Sequence, residues 1–156
     1  MSAKYRFTAL PYEPFAVLFE DEAAHRAAGA VLMTVEECPG SPCRVSLADA
    51  AVGETVVLVP FTHHDVDSPY RASGPIFVRR AAVRAEPVAG EVPRFLRHRL
   101  LSLRAYDAHG MMCDAEVVQG DAIEGVLERM FGEDGVRYVD VHNARPGCFN
   151  CRVERA

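Results

Sequence analysis

Residues 4–10, Lys-Tyr-Arg-Phe-Thr-Ala-Leu, alternate polar and apolar side chains with the two-residue period of a half-buried strand. Residues 30–35 and 76–78 read as further strands, and Thr55–Phe61 is almost continuously apolar. A run of that kind suits a strand covered on both faces, near the centre of a sheet. Residues 99–107 and 111–118 form two strands around Asp107-Ala108-His109-Gly110, a hairpin signal. A second hairpin joins Val136–His142 to Cys148–Val153 around Arg145-Pro146-Gly147, where Pro at i+1 and Gly at i+2 predict a type II turn.

Helical segments break the strand pattern at four places. Pro14 with Phe15, Leu18 and Phe19 predicts a helical turn, and Asp21 is placed to cap a short helix that ends at Gly29. Another short turn is expected after Ser46. The clearest helix holds Ile123, Val126, Leu127, Met130 and Phe131 at i, i+3, i+4, i+7 and i+8. Asp121 with Glu124 reads as its capping box and Gly132 as its end. Seven or eight strands against two or three helices, with strands often adjacent, predict an α+β fold. It is expected to be a mostly antiparallel sheet in a single domain spanning 1–156, since no repeat or composition break divides the chain.

Composition narrows the chemistry. Of 17 basic residues, 16 are arginine and the one lysine is Lys4. The chain therefore lacks the lysine of a phosphate-binding P-loop and has no placed lysine for Schiff-base chemistry. No Gly-x-Ser-x-Gly, His-Glu-x-x-His or Gly-x-Gly-x-x-Gly occurs either. The net charge of −5 argues against nucleic-acid binding. The N-terminus has no apolar leader and no run is long enough for a membrane span, so a cytoplasmic location is expected, with five reduced cysteines. Arginine-rich, lysine-poor usage also fits a GC-rich bacterial genome.

The densest reactive chemistry lies in a polar loop read as Thr62–Pro75. Within it, His63, His64, Asp65, Asp67, Ser68, Tyr70 and Arg71 gather two imidazoles, two carboxylates, a phenol and a guanidinium. A histidine beside a carboxylate is poised as a base near neutral pH. His63 or His64 is the expected base with Asp65 orienting it, while Asp67, Ser68, Tyr70 and Arg71 line a ligand pocket. Arg44 and Arg152 are candidate anchors for an anionic ligand. The contrasting reading is a non-catalytic interaction module in which the same residues only shape a turn.

Two metal readings compete with a cofactor-free protein. His63, Asp65 and His142 make a two-His-one-carboxylate set for non-haem iron, an oxygenase-like reading in which Arg152, ten residues beyond His142, resembles the arginine that binds the 2-oxoglutarate carboxylate. Cys38, Cys43, Cys148 and Cys151 make a four-thiolate zinc set, although strand alternation sends Cys148 and Cys151 to opposite faces. By that alternation Cys151 joins Val139, Val141, Phe149 and Val153 on the apolar face. Cys148 then shares the polar face with His142 and Asn150, which allows a Cys–His nucleophile pair.

Three segments carry a family resemblance: Pro39-Gly40-Ser41-Pro42-Cys43-Arg44, Ser68-Pro69-Tyr70-Arg71-Ala72-Ser73-Gly74-Pro75-Ile76-Phe77-Val78, and Gly147-Cys148-Phe149. Together they resemble the bacterial domain-of-unknown-function family numbered 1203, over essentially the whole chain. The resemblance implies a cytoplasmic bacterial protein and no activity. The expectation is thus a domain, alone or as a homo-oligomer, that binds a small molecule and neither nucleic acid nor membrane.

Overall fold

The computed structural model describes residues 4–156. Ten strands form two five-stranded sheets, and the α+β, mostly antiparallel expectation holds. The first sheet is ordered β1 (Tyr5–Thr8), β10 (Phe149–Arg155), β9 (Tyr138–Asn143), β7 (Leu100–Tyr106), β8 (Met112–Gln119), antiparallel throughout. The second is ordered β2 (Val31–Thr34), β5 (Thr55–His64), β6 (Ala72–Arg79), β3 (Pro42–Cys43), β4 (Ala48–Asp49). Only the β3–β6 pair is parallel, through Cys43 and Phe77. Among the described residues no helix is long and apolar enough to cross a membrane.

Alternation assigns each face of the first sheet. Phe7 and Val153, Val139 and Cys151, and Leu101, Leu103 and Ala105 point to one side, where helix α3 (Ile123–Phe131) lays down Ile123, Leu127, Met130 and Phe131. All of these are buried, and they form the larger core. A smaller core sits on the second sheet, where Val57, Val59, Ile76 and Val78 meet Phe15 and Leu18 from α1 (Glu13–Ala16) and the 3₁₀ turn after it. The expected cap of α2 (Glu22–Ala27) is present: Asp21 accepts from the amides of Ala23 and Ala24, and Gly29 follows at φ +70°.

Several local expectations give way to tertiary contacts. The segment read as a loop from Thr62 to Pro75 is the end of a long hairpin. β5 continues through His64 and β6 begins at Ala72, so only residues 65–71 lie outside strands. The strand is expected to stop where its apolar run ends at Phe61, but His63 and His64 continue it and pack on the polar face of the first sheet. The Asp121–Glu124 capping box does not form. Glu124 pairs with Arg97 at 2.7 Å, and a 3₁₀ turn, Gly120–Ala122, leads into α3. After Ser46 the chain enters the short strand β4 rather than a helical turn. The β9–β10 turn is closed by the Gly147 amide donating to the Asn143 carbonyl, with Gly147 at φ +84°. It is one residue wider than a type II turn.

Gly120 marks the tightest approach in the fold. A Cβ there would lie 1.8 Å from the Leu96 carbonyl oxygen, backbone that cannot rotate aside. Gly120→Ala is therefore expected to destabilise the protein at least as much as Leu127→Ala, which empties a fully buried site and costs about 2–5 kcal/mol. Urea unfolding of both variants checks the order.

Candidate functional site

The face of the first sheet turned away from α3 is polar. Along β9 it carries Tyr138, Asp140 and His142, with Arg104 and Tyr106 from β7 and Arg152 from β10 as cross-strand neighbours. Sheets usually leave such a face to water, but Asp140 and His142 are 0% and 1% exposed. The end of β5 covers them. One extra residue between Phe61 and His64 shifts the β5–β6 register. A bulge of this kind breaks the alternation that would send neighbouring side chains to opposite faces. Both histidine rings meet the first sheet as a result: His63 is stacked on Phe149 at 5.3 Å and edge-on to His142 at 4.9 Å, and His64 lies 3.9 Å from the Tyr106 ring.

A second bulge acts from the other side. Phe149 pairs with His142 and Cys151 with Val141, leaving Asn150 as the extra residue. Phe149 therefore sits on the histidine face, not with Val139 and Val141 as strict alternation implies.

Hydrogen bonds define the chemistry of each group. Asp140 accepts from Arg152 Nε at 2.8 Å and Nη2 at 3.2 Å, and the Arg152 guanidinium lies 4.1 Å from the centre of the Tyr138 ring. Burial pushes the Asp140 carboxyl up, against the opposing pull of Arg152. His64 Nδ1 lies 2.9 Å from the Tyr70 carbonyl, which can only accept, so in the neutral ring Nε2 accepts from the Tyr138 hydroxyl at 2.6 Å. With both nitrogens engaged inside the protein, His64 has no free base. His142 Nδ1 donates in the same way to the Gly147 carbonyl at 2.9 Å. Its Nε2 and His63 Nδ1 are buried without a partner. Burial first, then the charge of Arg104, holds His63 down to about 4; burial lowers His142 to about 3, with Arg104 and His63 adding to the effect.

The remaining residues proposed from the polar loop turn away from this cluster. Asp65 pairs with Arg71, both exposed, so it neither orients His63 nor joins His142; the carboxylate beside the two histidines is Asp140. The bulge is the reason, since His63 and Asp65 no longer share a face. Asp67 is exposed, and Tyr70 is 38% exposed and contributes its carbonyl. Ser68 donates to the Gly110 carbonyl and accepts from the Tyr70 amide, the work of a turn residue. The four cysteines of the thiolate reading do not gather: among the described residues, the metal-capable group is His63, Asp140 and His142.

Arg44 lies elsewhere, at the wall of a cavity of about 530 Å³. Arg99, Arg145, His98, Asn143 and Cys148 share the wall, with Pro42, Phe77, Leu100 and Pro146 as its apolar part. No residue of 62–75 contributes. Cys148 and His142 are thus parted, the thiol facing this cavity and the imidazole facing His63. Arg44 is 1% exposed and donates from Nε to the Phe149 carbonyl at 2.7 Å and from Nη1 to the Pro42 carbonyl. No carboxylate pairs with it among the described residues, and burial draws its guanidinium down to about 10. Arg99, by contrast, is neutralised by Asp49 at 2.6 Å. Sequence reasoning put Arg44 and Arg152 in a site, weighed Arg99 and Arg104 within an arginine-rich stretch but read that stretch as solvated faces, and left out Arg145 and the role of Asp140. The i, i+2, i+4 spacing of Tyr138, Asp140 and His142 was the available signal for Asp140.

Fold and site together define an α+β protein of two sheets, with a buried histidine–arginine–aspartate seam and an arginine-walled cavity. Residues 40–155 match the family model described as "Protein of unknown function (DUF1203)", and the chain belongs to that family. No curated protein and no solved structure matches it.

The lowered histidine pKa values fix a pH dependence. Unfolded, both rings take up a proton near 6.5; folded, they stay neutral to about 4 and 3 among Arg104, Arg152, Arg44, Asp140 and each other. The unfolded chain binds more protons in that window, so stability is level above pH 7 and falls as pH drops below about 6.5. The slope reaches about 1.4 kcal/mol per pH unit for each histidine. Denaturant unfolding with a chelator present, between pH 7.5 and 5, is expected to show this decline, and His142→Gln to flatten it by about half.

Proposed function

We propose that this protein binds a small anionic molecule in the cavity walled by Arg44, Arg99, Arg145, His98 and Cys148. The observation that carries the reading is Arg44, a fully buried guanidinium with no carboxylate partner, set at a cavity wall. A buried charge is retained where a counter-charge meets it, because an isolated ion in a protein interior is strongly destabilising. A bound carboxylate or phosphate supplies that counter-charge. Arg145, exposed at the rim and without a partner among the described residues, adds a second positive group. The volume suits a small organic ligand, and Phe77, Leu100, Pro42 and Pro146 favour one with an apolar part.

Binding is the role that these residues support. Cys148 gives the cavity a thiol, and five free cysteines suit the reducing cytoplasm of a bacterium. The pocket expected from residues 62–75 is replaced in this reading by one beside the β9–β10 turn, with Arg44 kept as the anion anchor.

The test is a thermal-shift screen with inorganic phosphate, sulfate and a series of aliphatic and aromatic carboxylates, followed by calorimetry. At least one anion is expected to raise the melting temperature and to slow alkylation of Cys148 by iodoacetamide. Arg145→Glu is expected to weaken it at least tenfold while leaving the ligand-free melting temperature unchanged. If no anion binds, or if Arg145→Glu binds as tightly as the parent, the reading fails.

A further inference from the structure

The seam between the sheets holds a second arrangement that the cavity does not use. We infer that His63, Asp140 and His142 bind one divalent transition-metal ion, with an anion completing its coordination. One ligand atom from each residue falls within 4.8 Å of the others. Each histidine also carries an orphaned ring nitrogen: His63 Nδ1 and His142 Nε2 are buried without a hydrogen-bond partner. Buried polar atoms in folded proteins are almost always satisfied, so two orphaned imidazole nitrogens on residues grouped with one carboxylate call for a bound partner.

The surrounding contacts are those of a metal ligand set. His142 Nδ1–H is fixed on the Gly147 carbonyl, which leaves the Nε2 lone pair directed away from that bond and available to an ion. Asp140 is oriented by Arg152 through both oxygens, and a carboxylate so held retains lone pairs for coordination. His63 is held in plane by stacking on Phe149. Ligands at about 2.1 Å from an ion lie about 3.3 Å apart, so the set closes inward on binding. Two imidazoles and one carboxylate suit zinc, iron, cobalt or nickel better than calcium or magnesium, which prefer all-oxygen shells.

Charge explains the anion. Asp140 is neutralised by Arg152, and Arg104, opposite Asp140 on β7, has no hydrogen-bonded partner among the described residues. An ion with three protein ligands would leave the seam strongly positive. A hydroxide or small carboxylate on the ion, beside Arg104, offsets that charge.

Cobalt(II) and zinc(II) titrations of the full chain test this, in a Cys38→Ser/Cys113→Ser background that removes the two exposed thiols. The expected result is one equivalent bound, visible cobalt d–d absorption without a thiolate-to-cobalt band, and a change in that absorption on adding acetate. His63→Gln is expected to lower affinity by about 10–100-fold, and Arg104→Met to abolish the acetate response. Long-range ¹H–¹⁵N spectra of the unsubstituted chain with zinc are expected to move His63 Nδ1 and His142 Nε2, a readout that needs no folded variant. Absence of binding, a thiolate band, unmoved histidine nitrogens or undiminished affinity in His63→Gln would overturn the metal site. An acetate response that survives Arg104→Met would overturn the anion's place. None of these outcomes bears on the arginine-walled cavity.

Discussion

Two sheets meet here through polar side chains, and the fully buried Asp140 is the centre of that contact. A carboxylate taken out of water is strongly destabilising unless matched in charge and geometry, and Arg152 matches it with a two-pronged hydrogen bond. The same arginine lies over Tyr138, whose hydroxyl reaches His64 on the opposite sheet. The Asp140–Arg152 pair thus organises the polar face that the β5–β6 hairpin covers. Removing Arg152 alone would leave Asp140 buried and unmatched, which is far more damaging than losing a surface ion pair.

The seam and the cavity share a single structural joint at Phe149. Its ring packs on His63 and His142, while its carbonyl accepts from Arg44 at the cavity wall. The bulge at Asn150 places both halves of that joint, by turning Phe149 onto the histidine face. A change in the position of Phe149 would therefore be felt at both places. The hairpin turn extends the connection, because Gly147 holds His142 while Arg145, Pro146 and Cys148 form the cavity rim.

Much of the fold was legible along the chain. The α3 stripe from Ile123 to Phe131, the hairpin at Asp107–Gly110 and the Asp21 cap follow from local periodicity and capping chemistry, and all are present. Arg44 and His142 were named as candidates from residue type and position. The Glu124 capping role failed because Arg97, distant in sequence, offered a charged partner. The His63–Asp65 pairing failed because alternation assumes an unbroken strand, and a single extra residue overturned it.

Local sequence determined most of the strands, the principal helix, and that a single lysine, Lys4, is present. Those properties depend on neighbours a few residues apart, so period and composition are enough to read them. Tertiary structure decided where the polar residues go. Whether His63 joins Asp65 or Asp140, and whether Arg44 finds a carboxylate or a cavity, depends on two bulges and on the packing of one sheet against the other. The chemistry between strands over 70 residues apart is set by that packing, and no local pattern encodes it.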